Sequence, residues 1–389
     1  MVLEDEVSKE LKIALGSLRR SPLFHLSLAS KELFHSNFIG WCCEVWPEQT
    51  AKIWANLVNG LPEHYSNEPI GKNIRREHNN HDLEIDFEGN KLLVVELKVK
   101  SLASEGQLKE YARRMKPKDG IPPRLVLMSL MEPDFLEKDQ KTLNLDNGID
   151  CSWVDLSIMA KKLKEFLTHD PPTGYLEGLL CDYEKFVVAL KGVTSIAAKV
   201  EGEKRFFLKK ADCVAITDMR LHDLVFKLRY QKLGIMVQEC LPKDMKYLVK
   251  PEMSNGTGMI TVDFKPDVQT LGNLGELGIG IQLQGNMFRQ YFSSKKKGEG
   301  IGDKLHGICD RLRINNIWLN DRYLSDSISE ISRMRNRNDY CKFGDNFFYN
   351  YRNLKEDVTA TQIAEYISKK MGYLKSKEED IVMAVKSVS

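Results

Sequence analysis

The stretch from His81 to Lys98 constrains the fold of this chain more than any other part of its sequence. A run of alternating charged and apolar residues, 82–87, and a mainly apolar run, 91–98, flank the short segment Glu88-Gly89-Asn90. Side chains alternate between the two faces of a strand, so each run has one wholly apolar face. The pattern predicts a β-hairpin with one apolar face and one face that carries charges.

The length of the connecting loop decides which residues of the two strands lie opposite each other. A two-residue Gly89-Asn90 turn would place the apolar Leu97 opposite Asp82. A three-residue loop, Glu88-Gly89-Asn90, instead keeps the apolar faces in register. Asn tolerates the left-handed conformation that such a bulged loop needs at its last position. We therefore predict the three-residue loop.

In that register Leu83 faces Val95, and Asp82 lies directly across from Glu96. Directly opposed residues have Cβ atoms about 4.5–5.5 Å apart, so the two carboxylates repel unless a cation lies between them. Lys98 projects to the same side. Two carboxylates and a lysine in this arrangement can hold a divalent metal and position a water for attack on phosphorus. Oxygen ligands favour Mg²⁺ or Mn²⁺ over zinc.

Other interpretations of the same segment stay open at this stage. The charges could form an ordinary solvated face, although charges on an apolar, central strand are costly unless they are paired or used. Asp86 is a rival metal ligand because it shares a face with Asp82. His78 and His81 suggest a metal pair, but a spacing of three within a strand points the rings to opposite faces, so we do not predict one.

Helix and strand signals alternate around this hairpin in the first part of the chain. We predict helices over residues 30–46 (with Ser30 as N-cap), 48–58, 104–117 and 155–168, and strands over 70–77, 82–87, 91–99, 124–130 and 149–154. The fold class is therefore α/β, with a mixed-sheet core in the order helix, three strands, helix, strand.

These residues resemble the PD-(D/E)XK nuclease superfamily. Asp82 is followed fourteen positions later by Glu96-Leu97-Lys98 and then by a helix, although His81 stands where the motif has proline. The resemblance covers roughly residues 26–130 and implies a restriction-endonuclease-like fold. It also implies a metal-dependent phosphodiesterase with Asp82 and Glu96 as metal ligands, in which Lys98 orients the water or stabilises developing charge.

Further residues are similar to one bacterial branch of this superfamily and are candidate accessory groups. Glu32 is a candidate third metal contact, although an acid is favourable in the first turn of a helix anyway. His35 could relay a proton, but a hydrogen-bonded histidine between helix and sheet is the favoured interpretation. Gln107 either completes a capping box with the preceding serine or contacts phosphate, and Tyr111 on the same helix face either joins it or covers the sheet. Arg114 ends this helix and is a candidate phosphate contact.

Charge divides the chain into two parts. The total is 57 Lys+Arg against 55 Asp+Glu, which argues against binding to nucleic acid or membrane by bulk charge alone. Residues 1–170 contain 23 basic and 27 acidic residues, whereas residues 171–389 contain 34 and 28. We predict a boundary near 170, where two prolines interrupt the chain, with a nuclease-like domain over 1–170 and an accessory α+β domain over 171–389.

The second part carries no chemistry that its sequence identifies. We predict helices over residues 175–198, 210–233, 302–313, 324–335 and 358–372, and strands over 247–252, 259–265, 278–284 and 287–292. Its glycine-punctuated strands resemble C-terminal regions that accompany this nuclease branch. We expect it to recognise the substrate or to regulate the enzyme.

Together these features predict a Mg²⁺- or Mn²⁺-dependent nuclease that acts on DNA, endonucleolytic rather than exonucleolytic, with a role in bacterial defence or restriction implied only by the resemblance. The alternatives are an inactive nuclease-fold module that binds nucleic acid or protein, and a phosphohydrolase of small nucleotides. The eight cysteines form no CxxC pair, and neither a signal peptide nor a membrane-spanning run is expected, which favours the cytoplasm. A second copy of the chain is a candidate partner.

Overall fold

The structure is a computed structural model. It describes residues 7–27, 32–67, 73–117, 119–137, 140–167, 174–244, 246–264, 275–296, 300–319, 328–330 and 341–387. The described helices are α1 (Lys9–Arg20), α2 (Pro22–Leu26), α3 (Glu32–Val45), α4 (Pro47–Leu57), α5 (Glu105–Arg114), α6 (Leu156–Leu167), α7 (Tyr175–Val193), α8 (Lys210–Asp218), α9 (His222–Cys240), α10 (Ile301–Ile314), α11 (Ala360–Ser376) and α12 (Glu378–Lys386). The described strands are β1 (Ile74–His78), β2 (His81–Phe87), β3 (Lys91–Lys98), β4 (Arg124–Ser129), β5 (Thr142–Asn144), β6 (Asp150–Asp155), β7 (Tyr247–Ser254), β8 (Thr257–Phe264), β9 (Leu277–Gln284), β10 (Met287–Ser294), β11 (Ser329–Glu330), β12 (Cys341–Phe343) and β13 (Phe347–Leu354).

The first sheet is mixed and has the strand order β1-β2-β3-β4-β6-β5. β1, β2 and β3 form an antiparallel meander, and β3, β4 and β6 are parallel. Helix α5 connects β3 to β4, as a parallel pair requires a crossover. The predicted mixed α/β core in the order helix, three strands, helix, strand is therefore confirmed, and the short edge strand β5 was not predicted.

The β2–β3 hairpin has the predicted register. Leu83 pairs with Val95 and Ile85 with Leu93. The loop Glu88–Asn90 forms a 3-10 turn in which Gly89 and Asn90 have positive φ angles of 70° and 59°. Glycine and asparagine adopt this region most readily, so the loop sequence suits the three-residue connection.

Helices cover both faces of this sheet, and the candidate catalytic side chains lie on one of these faces. α3 packs on the face formed by residues such as Leu83 and Val95, which are fully buried. α5 packs on the opposite face, where Leu108 and Ala112 join Val94 in an apolar cluster. Glu96 and Lys98 alternate with Val94 in register, so they lie on the α5 face of β3.

The helices that precede this core and follow it were predicted only in part. Helix α1, which begins after the N-cap Ser8, and the short α2 were not predicted. The predicted N-cap Ser30 lies outside the described residues. The predicted single helix over 210–233 is interrupted, because Arg220, with φ of 55°, separates α8 from α9.

The chain forms two compact units. The first comprises Met1–Lys199 and Lys210–Val225, and the second comprises Val200–Lys209 and Phe226–Ser389. This division differs from a boundary at residue 170, since α7 packs on α1 and α6 within the first unit. The functional roles assigned to the two predicted domains remain predictions.

The second unit is built on an antiparallel sheet with the order β11-β13-β10-β9-β8-β7, and β12 also pairs with β13. α9, α10 and α11 contribute to an apolar core on one face of this sheet. The predicted second α+β fold is confirmed. Of the helix predicted over 324–335, Ser329–Glu330 instead pairs with β13 as a strand, and the remainder lies largely outside the described residues.

Two further features bear on the setting of the protein. Within the described ranges, no helix is long and apolar enough to cross a bilayer. All eight cysteines are free thiols, and Cys42, Cys43, Cys151 and Cys309 are buried.

Candidate active site

Asp82 and Glu96 project from neighbouring strands at the end of the β2–β3 hairpin. The backbone N–H of Leu97 donates to Asp82 Oδ2 over 2.6 Å, which ties the Asp82 carboxylate to the strand that carries Glu96. Lys98 Nζ lies 2.6 Å from Glu96 Oε1. The three residues singled out from the sequence thus lie together, on the α5 side of the sheet.

The Asp82 carboxylate is held in an unfavourable electrostatic setting. Burial raises its pKa from 3.8 to about 7, and the nearby negative charges of Glu96 and Glu77 add to the shift. The hydrogen bond from Leu97 and the charge of Lys98 act in the opposite direction but do not cancel it. An additional cation at this position would favour the ionised form.

Glu96 is 4% exposed and is held by two donors. Besides Lys98, the Tyr111 hydroxyl donates to Glu96 Oε1 over 3.2 Å. Burial lowers the pKa of Lys98, but the charge and hydrogen bond of Glu96 outweigh burial and raise it overall, so Lys98 remains an ammonium. Glu96 and Lys98 therefore form a charged pair, and the Asp82 carboxylate lies beside it.

Gln107 and Tyr111 lie on α5 and are linked to Glu96 by consecutive hydrogen bonds. The Ser104 side chain accepts from the Gln107 backbone N–H, which caps the helix. The Gln107 side chain does not close the capping box but donates through Nε2 to Tyr111 Oη over 3.1 Å. The Gln107 side chain thus contacts a residue of the candidate site, and its role as a phosphate contact remains a prediction.

Glu32, at the start of α3, contacts the chain just beyond β3. Its Oε1 accepts from the backbone N–H groups of Val99 and Lys100 over 2.9 and 3.1 Å, and from the Ser101 hydroxyl over 3.4 Å. Its negative charge also favours the ammonium form of Lys98. Glu32 thus holds the segment that follows Lys98, and its role as a third metal contact remains a prediction.

A second acidic cluster, Glu84 and Asp86, lies on the same strand and has arginine and histidine partners. Arg75 Nε lies 3.0 Å from Glu84 Oε2, and Arg75 Nη1 lies 2.7 Å from Asp86 Oδ2. His78 Nδ1 and His81 Nδ1 lie 2.8 and 2.7 Å from the two Glu84 oxygens. Asp86, the rival metal ligand, is therefore engaged by an arginine.

The expectation that His78 and His81 point to opposite faces is wrong. They are not members of one strand but cross-strand partners on either side of a tight turn formed by Asn79 and Asn80, which have φ of 53° and 63°. Cross-strand partners project to the same side, so both rings reach Glu84. The Asn-Asn dipeptide between the histidines was the signal that sequence reasoning missed.

His35 and the basic candidates have other partners. The buried His35 ring lies 3.2 Å from the Tyr183 hydroxyl through Nδ1 and stacks on Phe186, both on α7 rather than on the sheet. Burial lowers the pKa of His35 to about 3. Arg114 pairs with Glu110 on its own helix over 2.8 Å. The sequence contains a further basic cluster, Arg333-Met334-Arg335-Asn336-Arg337, which lies outside the described residues.

The donor set fits a metal that retains much of its hydration. Among the described residues, no cluster of three or more His, Cys, Asp or Glu side chains is placed to hold an ion. Asp82 and Glu96 supply two carboxylates, and Mg²⁺ is commonly bound by one or two carboxylates while waters and substrate phosphates fill the other positions. Burial and the neighbouring carboxylates raise the pKa of Asp82, and a cation bound there would favour its ionised form.

The mixed sheet with a carboxylate pair and a lysine at the end of its central hairpin defines a nuclease-type α/β domain. Residues 23–165 match the family model of the PD-(D/E)XK nuclease superfamily, and this part of the chain is a domain of that superfamily. Comparisons with curated proteins and with solved structures find no match to the chain. The family recognised from the sequence is therefore confirmed, and it supports a nuclease, a hydrolase of phosphodiester bonds.

Proposed function

We propose that this protein is a Mg²⁺- or Mn²⁺-dependent endonuclease that hydrolyses phosphodiester bonds in DNA, with Asp82, Glu96 and Lys98 as its catalytic residues. The observation that carries the proposal is the partly buried Asp82 carboxylate beside Glu96, where the charge of Lys98 only partly offsets burial and the neighbouring acids. Strongly shifted ionisable groups that converge in this way are typical of catalytic centres.

Each residue has a distinct task in this proposal. Asp82 and Glu96 would hold the metal, which would polarise the phosphoryl oxygen and lower the pKa of a bound water. Lys98, charged through its contact with Glu96, donates to the attacking water or to the phosphoryl oxygens as negative charge develops there. Tyr111 fixes the orientation of Glu96, and Gln107 fixes Tyr111.

The test is cleavage of circular and linear DNA by the full-length protein with Mg²⁺, Mn²⁺ or a chelator. Circular substrate should be nicked and linearised only with metal, because an endonuclease needs no free end. Glu96→Gln and Lys98→Met should each lower the rate by about a hundredfold or more, since even residues that only support metal ligands contribute up to about that factor. Absence of metal-dependent cleavage, or unchanged cleavage by both variants, contradicts the proposal.

Matched controls separate the site from general charge effects. Glu63→Gln and Lys52→Met remove exposed charges of the same types from the same unit and should leave cleavage unchanged. Metal-dependent cleavage of RNA but not DNA would overturn the substrate assignment. DNA binding without cleavage under any metal would support the alternative, an inactive nuclease-fold module.

The setting of the activity is also a proposal. We place it in the cytoplasm, in bacterial defence or restriction, with residues 171–389 recognising the substrate or regulating the enzyme and a second copy of the chain as a candidate partner. The eight free thiols are compatible with a reducing compartment.

A further inference from the structure

The antiparallel sheet of the second unit has one face covered by helices and one face of a different character. Along β8 the residues alternate strictly between half-exposed and buried. The buried set, such as Ile260 and Val262, belongs to the apolar core with α9, α10 and α11. The alternate set, which we call the open face, carries polar and aromatic side chains instead.

A registered row of such side chains crosses five strands of the open face. Lys250 pairs with Thr261, Thr261 with Gln282, Gln282 with Arg289, and Arg289 with Tyr351. Because directly paired residues lie on the same side, this row runs from β7 to β13 on one surface. It begins with an exposed lysine and ends in a half-exposed tyrosine.

Aromatic rings line the open face along β13. Phe347, Tyr349 and Tyr351 form an aromatic ladder with ring-centroid separations of 5.7 and 6.1 Å. The ladder continues at β12, where Phe343 pairs with Phe347 and is 77% exposed. A large exposed aromatic side chain beside a row of half-exposed rings is typical of an interaction surface.

The glycines of β9 support this platform. A side chain at Gly278 would place its Cβ 3.6 Å from the Tyr291 ring and 2.8 Å from the Ser293 hydroxyl. Tyr291 pairs with Gly280, which adds no side chain beside the ring, and Phe347 stacks on Tyr291 at 5.1 Å with an interplanar angle of 13°. The glycine punctuation noted in the sequence thus lies next to the rings of the open face.

Arg289 is the charged centre of the open face. Its Nη1 donates to Gln282 Oε1 over 2.5 Å, and its guanidinium lies over the Tyr349 ring at 5.1 Å. Among the described residues, no carboxylate pairs with it. A half-buried arginine that is fixed by a neutral amide and an aromatic ring keeps its charge available for an anionic ligand.

We propose that the open face binds single-stranded nucleic acid, with bases stacked on the aromatic ladder and a backbone phosphate on Arg289. Sheets that present aromatic rings and basic side chains bind unpaired strands in this way, because every base has a face that can stack. Charge favours this occupant over a protein partner: Arg289 has no acidic partner within the described ranges, and residues 171–389 carry 34 basic against 28 acidic residues. A duplex hides its base faces and would not use the ladder.

The experiment measures binding of a labelled oligodeoxythymidylate, and of the matching oligouridylate, to the full-length protein by fluorescence anisotropy in the presence of a chelator. The chelator removes metal-dependent cleavage, so failure of this inference and failure of the proposed nuclease activity are distinguishable. Arg289→Gln and Tyr349→Leu should each weaken binding by about tenfold, the usual consequence of losing one stacking or phosphate contact.

Two matched variants make the test specific. Tyr349→Phe keeps the ring and should bind like the wild type, and Arg311→Gln removes an exposed arginine from α10, whose apolar residues pack in the core on the other face. Circular dichroism and thermal unfolding check that each variant folds. The inference is overturned if neither oligonucleotide binds, or if Arg289→Gln and Tyr349→Leu bind normally. It is equally overturned if a duplex or a mononucleotide binds as tightly, or if Tyr349→Leu instead abolishes self-association.

Discussion

Two acidic clusters lie on the same face of β2 and differ in how the fold treats them. The side chains of Asp82 and Glu84 are two residues apart on the same strand. Burial raises the pKa of Asp82 to about 7. Burial acts on Glu84 too, but hydrogen bonds from His81, His78, Arg75 and Asn79 lower its pKa to about 2.

The difference lies in the partners rather than in the residues. β1 supplies Arg75 and His78 to Glu84, whereas Asp82 lies where β3 supplies another carboxylate, Glu96. A fully paired carboxylate stabilises the fold, while an uncompensated one is available to a cation. This difference supports the proposal that Asp82 and Glu96 form the catalytic cluster, because the described residues offset the charge of Asp82 only in part.

The largest expected effect on stability comes from neutralising the compensated cluster. Glu84→Gln should lower the free energy of unfolding by about 3 kcal/mol at neutral pH, because it removes a buried carboxylate that is held by Arg75, His78 and His81. Urea denaturation followed by circular dichroism measures the change.

The folded-state pKa of Glu84 lies below its unfolded value, so its contribution to stability is complete above about pH 4.5 and is lost as pH falls toward 2. The gap between variant and wild type should close over that range. Glu63→Gln, an exposed control, should change stability by less than about 0.5 kcal/mol, and an equal loss there would refute the distinction.

The second largest expected effect is the stabilisation by a bound metal, which should depend on one acidic cluster and not on the other. At a Mg²⁺ or Mn²⁺ concentration about a hundredfold above the dissociation constant, binding should raise the free energy of unfolding of the wild type by about 2.7 kcal/mol. The shift should disappear in Glu96→Gln and persist in Glu84→Gln, even though the latter starts from a lower stability. Thermal unfolding with metal and with chelator provides the measurement, and a metal shift that depends on Glu84 rather than on Glu96 would reverse the assignment.

Asp82 should respond to pH with the opposite sign to Glu84. Its folded-state pKa of about 7 lies above its unfolded value, so the folded protein holds an extra proton between about pH 4 and 7 and loses stability as pH rises through that range. Asp82→Asn can still accept from Leu97 and carries no charge. In metal-free protein at pH 8 it should therefore be more stable than the wild type by up to about 2 kcal/mol, after allowance for partial exposure. The difference should vanish near pH 4, and an Asp82→Asn variant that is less stable than the wild type at pH 8 would contradict the electrostatic account.

The sequence predicted the active-site register because alternation and loop chemistry are local. Once the Glu88–Asn90 loop is fixed at three residues, the pairing of Leu83 with Val95 and the proximity of Asp82 to Glu96 follow. The partners of Glu84 were not predicted, because they depend on the pairing of β1 with β2 and on the tight turn at Asn79 and Asn80. His35 was placed against the sheet, yet it contacts Tyr183, which is far away in the chain and could be brought there only by tertiary packing.

The smallest expected effect concerns the link from α5 to the carboxylate pair. Tyr111→Phe removes one of the two donors to Glu96 but leaves Lys98 in place, so the Glu96 carboxylate should lose orientation rather than charge. We expect kcat for DNA cleavage to fall about tenfold, corresponding to one hydrogen bond to a charged group, with KM nearly unchanged.

Gln107→Ala, which acts only through Tyr111, should have a smaller effect in the same direction. Tyr175→Phe removes a hydroxyl from a 77% exposed tyrosine in the same unit and should leave kcat unchanged. If Gln107→Ala lowers kcat more than Tyr111→Phe does, Gln107 contacts the substrate directly, and the serial arrangement of the two residues is wrong.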